Sequence, residues 1–217
     1  YDWLDDHTLL LSARLGKRNR LVIVAKDTSS TEDKWQNNVL PKDGYLVTAL
    51  PNDKEHVLLA LIVTQPSVNS VLYRFPIQAL REGKLDETYK VPYLSEDLSF
   101  FAYSDELNKL ISLQYNQEAE TIFYSIRTLE SDSEQQRYEL KLEDWDFVPA
   151  GLLSDSKMAV LSNKESDTTS LYEFDLATQS FGEILYSHKK YDLVAAKLSP
   201  SEGKVLSVSY YDHGRLV

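Results

Sequence analysis

Thr169-Ser170-Leu171-Tyr172-Glu173-Phe174-Asp175-Leu176-Ala177-Thr178 is the stretch that decides the fold. Leu171 to Phe174 alternate in character, as a strand with two differently packed faces does, and Asp175 to Thr178 read as a turn. Similar runs stand earlier in the chain at Val71-Leu72-Tyr73-Arg74-Phe75 and Thr121-Ile122-Phe123-Tyr124-Ser125-Ile126, with a relative at Arg20-Leu21-Val22-Ile23-Val24. Each follows a shorter apolar run, such as Met158-Ala159-Val160-Leu161 or Val57-Leu58-Leu59-Ala60-Leu61. These runs are rich in branched residues, too short for buried helices and bounded by turn residues, so they predict strands. Before each short run lies an acidic or Asn-containing turn marked by Asp5, Asp53, Asp105, Asp155 and Ser201, spaced 48, 52, 50 and 46 residues apart. The tyrosines Tyr73, Tyr124 and Tyr172 fall 20, 19 and 17 residues beyond their markers.

A period of about fifty residues made of short strands predicts an all-β chain built from propeller blades. The first strand of a unit precedes the turn, at Tyr45–Leu50, Ser99–Tyr103, Phe147–Leu152 and Val194–Leu198, where small residues suit a crowded centre. A charged outer strand is expected at Thr88–Val91, Arg137–Leu142 and Gly182–Tyr186, where charge discourages edge-to-edge pairing. The blades are then 1–40, 44–91, 99–142, 147–186 and an incomplete 193–217, about four and a half four-stranded units cut off after a second strand. A compact four-bladed ring with an extra hairpin and an arc of a seven- or eight-bladed ring both fit, and the truncated last unit favours the arc. Pro76-Ile77-Gln78-Ala79-Leu80-Arg81-Glu82-Gly83, with a proline start and a glycine stop, predicts a single-turn helical insert.

Composition narrows the function classes. The chain has 217 residues, 42% hydrophobic and 26% charged, with no apolar run near membrane length, so a soluble globular chain is expected. A net charge of −11 repels a phosphate backbone, which argues against nucleic acid. The absence of cysteine excludes disulfides, thiolate metal sites and a cysteine nucleophile together. With seven glycines and no Gly-rich phosphate loop, nucleotide fingerprints are missing as well, and no cofactor or metal is expected. Nothing separates a cytoplasmic from a periplasmic location. The chain opens at Tyr1 without methionine or a secretory leader pattern, and closes at Tyr210–Val217 on a turn leading into a new apolar run. The expectation is a piece of a longer polypeptide, able to associate with itself through unmatched faces at its two ends.

No catalytic residue is assigned. The four histidines, His7, His56, His188 and His213, lie mostly in or beside turns and have no partner at metal or triad spacing. Glu143, Asp144 and Asp146 around Trp145 offer carboxylates to a cation or a peptide amino terminus, but lack the close spacing and glycine of a calcium loop and read as a charged connector. Arg14, Lys17, Arg18 and Arg20 form the one basic cluster, read as a solvated hairpin tip. The fourteen tyrosines recur at equivalent strand positions and so read as packing.

Four segments carry a family resemblance: Trp3-Leu4-Asp5-Asp6-His7-Thr8-Leu9; Leu50-Pro51-Asn52-Asp53-Lys54-Glu55-His56-Val57-Leu58; Thr169 to Thr178; and the run through Tyr186-Ser187-His188, Tyr191-Asp192-Leu193-Val194 and Leu198-Ser199-Pro200-Ser201-Glu202-Gly203-Lys204. In that order they resemble the N-terminal β-propeller of prolyl oligopeptidase-like (S9) serine peptidases, especially bacterial dipeptidyl- and acylaminoacyl-peptidase relatives. The last turn departs from the family's Ser-Pro-Asp-Gly-Lys pattern, with Ser201 in the acidic slot and Glu202 one place on. The resemblance implies an α/β-hydrolase domain, C-terminal in the same polypeptide, that carries a Ser-Asp-His triad with its serine on a Gly-x-Ser-x-Gly elbow. No such elbow occurs here, so the implied chemistry lies outside these residues. The propeller would cap the catalytic cavity and select peptide substrates by size. The rival expectation is a stand-alone propeller that binds protein partners or a small ligand, because fold alone does not fix function.

Overall fold

Short branched runs separated by polar turns satisfy their backbone groups most directly by pairing with their neighbours in sequence, and the computed structural model of the chain shows that pairing throughout. It describes residues 1–15, 18–27, 34–50, 52–63, 69–91, 98–105, 107–116, 118–129, 136–141, 143, 146–199 and 204–217. Five antiparallel sheets succeed one another. The first holds β1 (Asp2–Asp5), β2 (Thr8–Leu15), β3 (Arg18–Lys26) and β4 (Trp35–Val39). The second holds β5 (Gly44–Thr48), β6 (His56–Val63) and β7 (Asn69–Pro76), followed by the helix α1 (Ile77–Arg81) and a 3-10 turn at Glu87–Tyr89. β8 (Leu98–Ser104), β9 (Lys109–Asn116), β10 (Thr121–Thr128) and β11 (Gln136–Lys141) form the third. β12 (Phe147–Leu152), β13 (Lys157–Ser162), β14 (Ser170–Asp175) and β15 (Ser180–Tyr186) form the fourth, and β16 (Leu193–Leu198), β17 (Val205–Asp212) and β18 (Arg215–Leu216) the fifth. Within every sheet the strands lie in sequence order, the meander of a propeller blade. The fold is all-β with five blade-like sheets.

The chain divides into two compact units, Tyr1–Phe101 and Ala102–Val217. In the first, one face of the first sheet packs on the second: Leu10, Leu21 and Ile23 join Val57, Leu59, Tyr73 and Phe75 in one buried cluster, with Leu80 of α1 at its side. In the second unit Tyr124 of β10 stacks on Phe147 of β12 at 6.2 Å, and Phe147 in turn meets Phe174 at 4.6 Å and Phe181 at 6.1 Å. The opposite face of the fourth sheet, with Ala159, Leu161 and Leu171, is covered by Ala196, Val208 and Tyr210 of the fifth. The equivalent tyrosines Tyr73, Tyr124 and Tyr172 are all buried, as packing residues should be.

One device recurs beyond what the sequence pattern predicted. The pairing of the first strand with the second shifts register at Trp3/Asp5, Leu46/Thr48, Pro149/Gly151 and Leu193/Ala195. A bulge increases local twist and bends its strand, so the irregularity toward the end of β1, β5 and β12 re-aims these three strands before their acidic turns, whereas in β16 it lies at the start of the strand. Close approach also fixes one glycine: a Cβ on Gly44 would stand 2.4 Å from the Ala60 carbonyl oxygen.

The expected helical insert is present and well terminated. Gly83, at φ +69°, donates its N–H to Leu80, and Lys84 donates to Ala79 at 2.9 Å, the paired bonds of a Schellman ending. The expected fourth strand at Thr88–Val91 is not formed. Asp86 accepts the Thr88 N–H and caps the 3-10 turn, leaving only an isolated Tyr73–Lys90 bridge and a Val91 N–H to Leu72 bond, so the second sheet has three strands. The fifth unit runs further than two strands. His213 and Gly214, at φ 47° and 78°, turn β17 into β18, the positive-φ pair of a tight hairpin. The turn marker Ser201-Glu202-Gly203 lies outside the described residues.

Candidate functional site

The polar side chains that converge do so at the turns between first and second strands. Asp5 follows the bulge of β1 and accepts the His7 N–H at 2.8 Å. Its second oxygen lies 2.6 Å from the Arg81 guanidinium, whose Nε–H donates to the Thr8 hydroxyl at 2.6 Å. Thr8 is fully buried, so this hydroxyl has its partner away from water. Burial raises the Asp5 carboxyl, but the His7 N–H, the Thr8 hydroxyl and Arg81 together hold it below its ordinary value.

The equivalent turn in the second sheet gathers a different set. Asp53 accepts from Arg74 at 2.5 Å and from the Glu55 N–H at 3.2 Å, and His56 Nδ1 lies 3.0 Å away. The β6–β7 register brings Arg74, opposite Leu58, within reach of this turn. Burial raises the Asp53 carboxyl, but Arg74, His56 and the Glu55 N–H outweigh it and set the pKa at about 2. An aspartate beside a histidine ring is half of a nucleophilic triad in outline. A triad also needs a hydroxyl or thiol on the other ring nitrogen, and among the described residues no hydroxyl hydrogen-bonds His56. Arg74 moreover holds the carboxylate as an ion pair, so the cluster fixes a turn.

The second unit repeats the use of charge. Lys109 of β9 reaches Asp155 at 2.7 Å, joining the third sheet to the turn of the fourth, and Lys157 meets Glu173 at 2.5 Å. Glu173 occupies on β14 the position Arg74 occupies on β7, so the same strand position carries either sign, matched by its turn. His188 Nδ1 accepts the N–H groups of Lys190 and Tyr191, at 3.2 and 3.1 Å, while its ring lies 4.9 Å from that of Tyr191 and 4.7 Å from that of Tyr210. Tyr191 donates its hydroxyl proton to Asp212, closing this aromatic corner of the fifth sheet.

The other candidates are separated. His7 and His213 are exposed turn residues. Glu143 pairs with Lys141 and Asp146 with Lys164, at 3.6 and 3.5 Å, so these two carboxylates do not converge, while Asp144 and Trp145 lie outside the described residues. Arg20 donates to the Pro41 carbonyl and pairs with Asp43 at 3.4 Å, so it braces the start of the second sheet rather than joining an anion site. Lys17 and the side chains of Arg14 and Arg18 lie outside the described residues. Among the described residues no group of three or more His, Asp or Glu side chains could hold a metal ion.

The described residues include two clefts. One of about 240 Å³ lies between the first sheet and α1, lined by Lys26, Asp27, Gln36, Gln78, Arg81 and Glu82. The other, about 360 Å³, is on the fourth sheet, walled by Phe147, Val148 and Leu161 with Asp146 and Thr169 at its rim. Both are at or below the low end of ligand pockets, and neither collects an acid, a base and a nucleophile. The arrangement can hold sheets together and offer surface; it does not assemble a reaction centre among the described residues.

No protein-family model matches the chain. No curated protein matches it either. Among solved structures, it is similar to the β-propeller domain of the Trilobed protease from Pyrococcus furiosus, a structure described as having an open velcro topology, at 12% identity and a TM-score of 0.48, over 96% of this chain and 76% of that one. It is also similar to Porphyromonas gingivalis dipeptidyl peptidase 4, at 12% identity and a TM-score of 0.32, over 92% of this chain and 28% of that one.

Proposed function

We propose that this chain is a non-catalytic propeller segment of a prolyl oligopeptidase-like serine peptidase, forming part of a seven- or eight-bladed ring over an α/β-hydrolase domain of the same polypeptide. One observation carries the reading: segments that resemble that family in order along the chain coincide with the blade grammar of the fold. Leu50–Leu58 spans the turn into β6, and Thr169–Thr178 covers β14 and the turn after it. In a closed propeller the blades surround a narrow central channel. Such a channel admits an extended peptide and excludes a folded chain, which is the physical basis of selection by size. The chemistry of peptide cleavage would rest wholly with the hydrolase domain.

The test compares the polypeptide that carries residues 1–217 with a form from which they are deleted, and with the 217-residue chain alone. The chain alone should leave aminoacyl and dipeptidyl chromogenic substrates uncleaved, the intact polypeptide should cleave them, and deletion should open the enzyme to longer substrates. Hydrolysis by the chain alone, or a size profile unchanged by deletion, would contradict the proposal.

A second reading, a stand-alone propeller that binds partners, is favoured by one feature: large apolar side chains such as Trp3 and Leu206 are more than half exposed.

A further inference from the structure

In the second unit the first strands of the fourth and fifth sheets, β12 and β16, lie next to each other. Toward their C-terminal ends they touch, and a Cβ on Gly151 would stand 2.7 Å from Leu198 Cδ1. Their N-terminal ends leave apolar side chains open: Val148 is 61% exposed and Val194 45%. The fourth sheet has the third before it and the fifth after it, so the exposure of Val148 is not that of a terminal face.

The larger cleft begins at Val148, and its floor continues the interface between the two sheets. The register aligns Val148 with Leu161 and Leu161 with Leu171, and both leucines belong to the core shared with the fifth sheet. The rim is polar. Asn163 and Thr169 line it, and among the described residues no hydrogen bond engages either side chain, so an amide and a hydroxyl are available to a ligand backbone. Asp146 at the rim is paired with Lys164 at 3.5 Å, while exposed Asp192 accepts the Thr169 N–H at 2.7 Å and leaves a carboxylate beside the cleft. An apolar floor under such a rim suits an aliphatic side chain carried on an extended backbone and disfavours an acidic one. At about 360 Å³ the cleft has room for one side chain with its flanking backbone, not for a folded partner.

We infer that this cleft is a subsite for an aliphatic side chain of a peptide substrate, favouring leucine-like over acidic residues at one position of the peptide. The inference rests on the peptidase reading: in a closed ring the first strands border the channel, so a peptide in transit passes the mouth of the cleft. A subsite of this kind lies away from the reacting bond and acts through binding, so its effect falls on KM.

The experiment uses the intact polypeptide that carries residues 1–217 and pentapeptides of one cleavable sequence, in which a single leucine, serine or glutamate is moved along the chain. At one position leucine should give a kcat/KM about fivefold higher than serine, carried by KM, with glutamate lower still. Val148→Lys should erase the leucine preference and reverse the order of serine and glutamate at that position alone. Val39→Lys, an equally polar change at an exposed valine of the first sheet, should leave the preference as it was. Circular dichroism and a thermal melt check folding, and Val148→Thr, close to valine in shape, should at least halve the preference should the lysine variant not fold. An enzyme with the parent's side-chain preference in both Val148 variants would overturn the inference and leave the peptidase reading standing, as would a parent with no preference at any position. A polypeptide that cleaves no peptide would remove the reading and the inference together.

Discussion

Arg81 lies 2.6 Å from Asp5, across 76 positions of sequence, and binds the turn of the first sheet to the helix inserted after β7. The insert has replaced the outer strand expected in its unit, and in exchange it carries a cation to the neighbouring sheet. Asn38 of β4 tightens the same junction by donating to the Arg81 carbonyl at 3.1 Å. In the second unit Lys109 does for Asp155 what Arg81 does for Asp5, so acidic turns that mark the repeat also serve as anchors between consecutive sheets.

Arg81→Met should therefore destabilise the first unit by about 1–3 kcal/mol, since it strips a half-buried carboxylate and the buried Thr8 hydroxyl of one partner together. Urea unfolding should show a lower midpoint with an unchanged slope. A double variant with Asp5→Asn should lose less than the sum of the two single changes, because the pair acts as a unit.

Asp53 gives the fold an acid limit. Its folded pKa of about 2 lies below the ordinary aspartate value of about 3.9, so the stabilisation is complete above about pH 5 and fades as pH falls from about 4 through about 2. Solvent screening around this partly exposed group holds the gain to about 1 kcal/mol. In Arg74→Met the Asp53 carboxyl should titrate closer to its ordinary value by NMR, and this part of the acid sensitivity should shrink.

Gly44→Ala should cost roughly 2–4 kcal/mol, because the new methyl has no room beside the Ala60 carbonyl and the β5–β6 pairing must open to admit it. Hydrogen exchange should lose protection first along β5 and β6.

Glu120 is exposed in the turn between β9 and β10 with φ at 51°, a conformation that costs a side chain with a Cβ. Glu120→Gly should raise stability by about 0.5–1 kcal/mol, read as an upward shift of the thermal midpoint.

The strands were legible because their pattern is local. Leu171-Tyr172-Glu173-Phe174 announces two faces wherever it occurs, and the acidic turns recur with the blade period. The strand β4 was not legible: Trp35-Gln36-Asn37-Asn38-Val39 is mostly polar with low strand propensity, and its pairing with Val22–Lys26 is what places it. The opposite failure is Thr88–Val91, which has strand-forming residues but lies behind Asp86, whose side chain caps a turn, and beside Glu87, which accepts the Tyr73 hydroxyl at 2.8 Å. The polar clusters were hidden for a different reason. Asp53 and Arg74 stand 21 residues apart, and Asp5 and Arg81 further still, so strand register and the reach of α1, not spacing, bring them together.

The measurement closest to the central claim is fluorophosphonate labelling of the full-length product of the gene that encodes residues 1–217. The account predicts one covalently labelled serine, on a Gly-x-Ser-x-Gly elbow C-terminal to Val217, with none inside residues 1–217. An unlabelled product whose chain ends within another blade or two would contradict the peptidase reading and leave a partner-binding propeller in its place.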